Sequence, residues 1–316
     1  MNLAGSGQAL DSSLATIYSA FMLRRDETGV FRNSATMWKL KPHEGRSKNL
    51  IQYGRLIAYD LADGVDMDQS QSLADTVTTH TPGEVGVQVM LPGSTMRRVA
   101  DPDLLKQAGR MCANAYDLKE DQDGGLQMVN FTPTMGVANS VIGLGEYYGA
   151  ITRLMLGNNR ANPEPAPEPY MIVDHPIKIA VLAGRLVPFT DVPAGTNIYL
   201  PATVAQGRTI GPGTNGFTEK ILKDHIGAIG HLFGATVKKS ANLIPDTSDD
   251  VSGGVFSKEG LHYVSELEPR SDPDTSNKSL RGAVELNHWG SYVFGVFNPA
   301  SYGVEIIGDA TMPAAS

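Results

Sequence analysis

Residues 36–93 show no long helical period, and this absence limits what the chain can fold into. Two segments within them read as strands, Tyr53-Gly54-Arg55-Leu56-Ile57-Ala58-Tyr59 and Val85-Gly86-Val87-Gln88-Val89-Met90-Leu91. In the second, Val85, Val87, Val89 and Leu91 share one face at a period of two. A basic run, Lys39 to Lys48, and an acidic run, Asp60 to Asp75, interrupt the apolar positions. Two strands around a polar middle predict a long hairpin. Such a hairpin has little core of its own and needs a surface to rest on.

The segments on either side have more conventional signals. Residues 1–35 read as an arm, with a short apolar patch at Ile17–Leu23 before the charged run Arg24-Arg25-Asp26-Glu27. Asp101-Pro102 supplies a cap and a first-turn proline. Leu104, Leu105, Ala108, Met111, Cys112, Ala115 and Tyr116 then recur at helical spacing, which predicts an amphipathic helix from Asp101 to Lys119. Asp121-Gln122-Asp123-Gly124-Gly125 is expected to stop it. A second helix is expected over about 136–156. Four prolines between Pro163 and Pro169 exclude helix and central strand, and predict a boundary.

Beyond that boundary, Tyr170–Val173 reads as a buried strand and Ile177–Leu182 as a short helix. A third helix is expected around Phe217–Ile229, with a strand at Val237–Asn242. Residues 254–256, 261–264, 280–286, 291–297 and 302–307 are strand-like, and Glu266–Lys278 reads as a polar loop. Helices in the middle with strands before and after predict an α+β chain, not βαβ repeats.

Composition narrows the function. At 316 residues the chain has room for about two domains. Its net charge is -8, a poor basis for coating nucleic acid, which calls for surplus Lys and Arg. The single cysteine, Cys112, excludes an internal disulfide and a multi-thiolate metal site. No apolar stretch has the length of a transmembrane helix, and the opening MNLAGSGQALDSS is not patterned as a signal peptide.

Catalytic and cofactor motifs are not found. Gly143-Leu144-Gly145-Glu146-Tyr147-Tyr148-Gly149 places its third glycine one position too late for a dinucleotide fingerprint. Gly211–Gly216 lacks the lysine of a phosphate loop. Asp66-Met67-Asp68 begins like a calcium loop, but Gln71 stands where glycine is required. The histidines (His43, His80, His175, His225, His231, His262 and His288) include no i,i+4 pair and no zinc-type spacing. Cys112 lies on the expected apolar helix face and reads as a small buried hydrophobe. Arg55, Arg97 and Arg98 read as surface charge or as inter-subunit partners. No catalytic, cofactor-binding or metal residue is therefore assigned, and an enzyme is not expected.

An arm, a long hairpin, a long helix, a middle domain and closing strands, in that order, resemble the tailed-bacteriophage major capsid proteins with the HK97-type fold. Tyr170–Pro176, Gly230–Ser240 (GHLFGATVKKS), Gly254–Leu261 and Ser291–Thr311 carry the local likeness, nearest the N4-like subgroup. The resemblance implies an N-arm at 1–35, an E-loop hairpin at 36–93 and a peripheral domain with its spine helix at 94–169. An axial domain would follow at 170–250, with closing strands at 251–316 shared between the two. It implies a shell of hexamers and pentamers enclosing double-stranded DNA without sequence-specific binding. The implied partners are a separate scaffolding protein, a portal protein and a decoration protein, with no membrane; the implied location is the virion, assembled in the host cytoplasm. Because the E-loop-like stretch begins by residue 36, the resemblance implies either a separate scaffolding protein or a chain already trimmed of its scaffolding segment, and the initial methionine favours the first. An encapsulin-type nanocompartment shell is the first alternative; an enzyme with an unrecognised site and a tail or baseplate protein follow.

Overall fold

A computed structural model describes residues 29–41, 45–54, 56, 58, 60, 70–72, 75–91, 102–157, 165–179, 230–274 and 284–311. The expected arm, except for its last residues, and the expected helix at Phe217–Ile229 lie outside them. The described residues mix helix and strand, as the sequence predicts, and form two compact units. One comprises Met1–Gln127 and Glu259–Asn298, the other Met128–Lys258 and Pro299–Ser316.

The first unit is built on a four-stranded sheet. Its strands are β1 (Thr36–Lys39), β4 (Gly83–Leu91), β10 (Leu261–Asp274) and β11 (Val284–Val296), in the order β1-β10-β11-β4. β10 and β11 pair antiparallel from Leu261↔Val296 to Asp274↔Glu285, with bulges near Leu267. Residues expected as a polar loop therefore continue β10 to Asp274. The period-two strand Val85–Leu91 pairs with β11, for example Val87↔His288. The hairpin is made instead by β2 (Lys48–Tyr53) and β3 (Asp75–His80), which pair from Lys48↔His80 to Tyr53↔Asp75. β3 is Asp-Thr-Val-Thr-Thr-His, whose β-branched residues favour strand while its polarity hides it from a hydrophobic search.

Helix α1 (Pro102–Leu126) is longer than its sequence pattern suggests, and its buried face keeps the expected Cys112 and Tyr116 but turns away from Met111 and Ala115. Gly109, Cys112, Ala113, Tyr116, Asp117, Glu120, Asp121 and Gly124 are buried, whereas Met111 is 70% exposed and Ala115 is exposed. The buried carboxylates explain the rotation. Glu120 Oε1 accepts from the Tyr263 hydroxyl at 2.8 Å, Asp123 Oδ2 from the Tyr292 hydroxyl at 2.9 Å. Asp121 Oδ1 accepts from the backbone N–H groups of Val30 and Phe31 at 3.1 and 3.2 Å. The pair Gly124-Gly125 does not end the helix. A Cβ on Gly124 would lie 2.5 Å from Phe31 Cβ, so this glycine admits the Phe31 side chain against the helix.

The second unit contains a six-stranded sheet, ordered β5-β12-β9-β6-β8-β7. Its strands are β5 (Thr134–Met135), β6 (Tyr170–Asp174), β7 (Gly230–Leu232), β8 (Ala235–Lys239), β9 (Asp250–Ser257) and β12 (Gly303–Asp309). Helix α2 (Leu144–Leu156) covers it through Tyr147, Ala150, Ile151 and Leu154. Ile172, Val237, Val255, Val304 and Ile306 complete the apolar core. The proline run does not separate two units, because Ala166 enters this core and the elements before and after it share it. Residues 136–143 precede α2 as turns rather than helix.

Gly136 makes one of those turns possible. It has φ of +89°, and an added Cβ would collide with the backbone carbonyl of Ile307, which has no rotamer to escape through. Gly136→Ala is expected to destabilise the protein by about 2–4 kcal/mol, as strain and overpacking add. Urea unfolding monitored by far-UV circular dichroism measures this; a midpoint equal to that of the unaltered protein would refute the assignment.

Candidate functional site

The polar group that looks most like a reaction centre lies in the second unit. Asp174 ends β6 and Lys178 follows one helical turn later, both essentially inaccessible to solvent. Their Oδ1–Nζ distance is 2.8 Å. The Tyr147 hydroxyl donates to Asp174 Oδ2 at 2.5 Å, and the His175 N–H donates to Oδ1 at 2.7 Å. The ammonium also donates to the carbonyls of Val251 at 3.0 Å and Ile306 at 2.9 Å. Burial, and then the Asp174 carboxylate, hold the Tyr147 hydroxyl well above its ordinary range.

Lysine, aspartate and tyrosine in contact can perform acid–base chemistry, but here the geometry argues against it. The three ammonium protons all have acceptors, and none is aimed at open space. The group ties β6, β9, β12 and α2 together. In sequence, Asp174-His175-Pro176 reads as a turn and helix start between the strand at Tyr170–Val173 and the helix at Ile177–Leu182, not as a charged cluster. The available signal was a lysine four residues after an aspartate within an otherwise apolar stretch.

The other sequence candidates do not converge on a site. Cys112 is buried, and desolvation raises its pKa, which disfavours the thiolate. Gly143 opens α2, and its N–H is taken by Glu146 Oε2 at 2.9 Å, so the helix caps itself. Arg55, Arg97, Arg98, Asp66–Asp68, Gly211–Gly216, His43 and His225 lie outside the described residues. His80, His262 and His288 are buried in the first unit, His175 is half-buried, and His231 is exposed. Among the described residues, no three His, Cys, Asp or Glu side chains gather as a metal site. No described helix is long and apolar enough to cross a membrane. A groove across β4 and β11, lined by Val85, Val87, Gln88, His288 and Trp289, is open to solvent.

The β2–β3 ribbon is the element with surface left over. On one of its faces, Asn49, Ile51 and Tyr53 oppose Thr79, Val77 and Asp75. Ile51 is 47% exposed, Val77 52% and Tyr53 58%. Leu56, just beyond, is also exposed. A two-stranded ribbon carrying apolar side chains in water is what a lattice or partner contact requires.

No family model matches the sequence, and no curated protein matches it. Solved structures do. The capsid of Ralstonia phage GP4 aligns with a TM-score of 0.60 at 13% identity, covering 90% of this chain and 89% of that one. The fold is that of the HK97-type capsid architecture. A chain of Mycobacterium phage Che8 aligns at 0.58 with 16% identity, covering 88% and 90%. A virus-like particle from Pyrococcus furiosus aligns at 0.51 with 10% identity, covering 93% and 98%. Nearly the whole length is matched in each case, so the likeness extends to both units.

Lys178→Met leaves Asp174 buried without its cation and is expected to cost about 3–5 kcal/mol. Adding Asp174→Asn should restore part of that loss, because no charge then remains inside. A double-mutant cycle in urea measures the coupling. Additive effects would show that the pair does not act as one unit.

Proposed function

We propose that this chain is the major capsid protein of a tailed double-stranded DNA phage, assembling as hexamers and pentamers into the shell around the genome. The observation that carries the reading is the near full-length likeness to phage capsid chains, such as that of Ralstonia phage GP4. The lack of a convergent catalytic group among the described residues is compatible with it. Within the fold we read β2–β3 as the E-loop and α1 as the spine helix. The peripheral domain is assigned to the unit holding α1 and the axial domain to the unit holding β6. This moves α2 from the peripheral span expected at 94–169 to the axial body, because α2 and β6 share a core. On the sequence stretches quoted above we further read the chain as nearest the N4-like capsids.

The proposed mechanism follows from the ribbon. Its outward face carries exposed Ile51, Val77 and Tyr53 among polar neighbours, and burial between subunits would remove that apolar surface from water at about 25 cal/mol per Å². Single contacts are modest, but a closed lattice repeats them. A net charge of -8 also keeps the shell from gripping like-charged DNA. The partners proposed are a separate scaffolding protein, a portal protein and a decoration protein, in a virion assembled in the host cytoplasm. An encapsulin-type shell around protein cargo is the second reading, favoured by the likeness to the Pyrococcus furiosus virus-like particle.

Negative-stain electron microscopy with size-exclusion mass tests the proposal. Closed shells, or free assemblies of about 203 or 169 kDa (six or five times 33.8 kDa), are expected. A strictly monomeric or dimeric protein, even with a crowding agent and scaffolding protein added, would overturn it. Nucleic acid in particles from the native source separates a phage head from a cargo shell. Ile51→Asp with Val77→Lys should leave the subunit folded while raising the concentration needed for assembly roughly tenfold or more. Unchanged assembly by light scattering would remove the ribbon from the mechanism.

A further inference from the structure

The inward face of the β2–β3 ribbon ends in a stack of aromatic rings. His80, the last residue of β3, lies directly over Gly295 of β11, where a side chain would not fit. Its ring stacks on His262 of β10 with centroids 6.2 Å apart. On β1, Trp38 stacks on His262 at 6.2 Å, and its Nε1–H donates to His262 Nδ1 at 2.7 Å. Phe297 meets His262 edge-on at 5.5 Å. Both histidines are more than nine-tenths buried, and His80 Nε2 has no hydrogen-bond partner among the described residues. Lys48, the register partner of His80, places its ammonium 4.6 Å above the Trp38 ring.

We propose that the His80–His262–Trp38 stack is an acid-released latch holding the base of the β2–β3 ribbon against the four-stranded sheet. The hydrogen bond and the burial within the stack favour neutral imidazoles. His262 Nδ1 accepts the Trp38 proton, so a protonated His262 cannot keep that bond. A protonated His80 would be a buried cation stacked on His262, on the register pair that also carries the Lys48 charge.

Groups around the stack act in the same direction or weakly against it. The backbone of Glu259 favours the charged His262. β1 and β10 also carry the exposed Lys39–Glu268 pair, 3.9 Å apart. Desolvation outweighs the Glu259 contribution and pushes His262 down to about 4, with repulsion from a charged His80 adding a little; desolvation lowers His80 as well. Released rings keep an ordinary pKa near 6.5. Protons therefore bind the released state first, and docking weakens as pH falls from about 6.5 to about 4. His262 alone shifts the latch equilibrium by about 300-fold across that window (ten to the power 2.5). The latch does not depend on the shell reading.

Trp38 is the natural reporter, with Trp289→Phe removing the only other tryptophan. In that background, intact protein titrated from pH 7.5 to 3.5 should change its Trp38 emission before far-UV circular dichroism falls. Hydrogen exchange, corrected for intrinsic rates, should rise in peptides covering 36–41 and 75–84 over the same range. His80→Phe with His262→Gln keeps a ring and an acceptor but cannot titrate there, and should abolish the early transition. Imidazole NMR on the unaltered protein provides a test that needs no variant, with His262 titrating far below 6.5. An early transition that survives in the double variant overturns the latch, since buried His288 would then be its source. So does a Trp38 change that coincides with global unfolding, or a His262 that titrates normally.

Discussion

The Lys178 ammonium carries three protons, and away from water each must find an acceptor. It finds them on Asp174, on the Val251 carbonyl of β9 and on the Ile306 carbonyl of β12. β6 stands beside β9, and β9 beside β12, so one cation clamps three successive strands of the six-stranded sheet. The Tyr147 hydroxyl extends the clamp to α2. A shifted register would move the two carbonyls away and leave a bare charge in the core. Apolar residues alone specify register less strictly. The second unit is thus positioned by a polar contact that its hydrophobic pattern does not announce.

The first unit uses carboxylates in a comparable way. Glu120, Asp121 and Asp123 line the side of α1 that meets Tyr263, Tyr292 and the backbone at Val30–Phe31. The tyrosine hydroxyls need acceptors once buried, and α1 provides them. Burial, with Asp123 the leading charge, drives the Tyr292 hydroxyl far above its ordinary pKa, keeping it a donor. Cross-strand rings then fill the remaining space, with Tyr263 and Tyr292 stacked at 5.6 Å and Tyr116 edge-on to Tyr292 at 5.9 Å.

These contacts explain which parts of the fold could be read from sequence. Tyr170–Val173 was legible because a continuous apolar run marks a buried strand, and Tyr302–Ile307 because Val304, Ile306 and Ile307 are β-branched. The existence of α1 was legible from its cap and proline, and so was the burial of Cys112 and Tyr116, whereas the polar part of its buried face was not. A hydrophobic search places Met111 inside and Asp117 outside, and tertiary partners reverse both. The hairpin was legible as an element, but its strands were not, since β3 has polar residues on both faces. The ring stack at the ribbon base was invisible for a different reason. Trp38, His80, His262 and Phe297 are scattered over the chain and come together only through sheet pairing.

The division of the chain between its two units has a consequence for synthesis. Neither unit is a contiguous stretch, and each takes an inner strand from far beyond the segments it joins. β11, between β10 and β4, ends at Val296; β12, between β5 and β9, ends at Asp309. A polypeptide still growing on the ribosome therefore lacks the centre of both sheets until β11 and β12 have been made. Such long-range pairing folds slowly and late. A nascent chain without those strands leaves β4 without its sheet neighbour and β5 apart from β9, so neither sheet is complete.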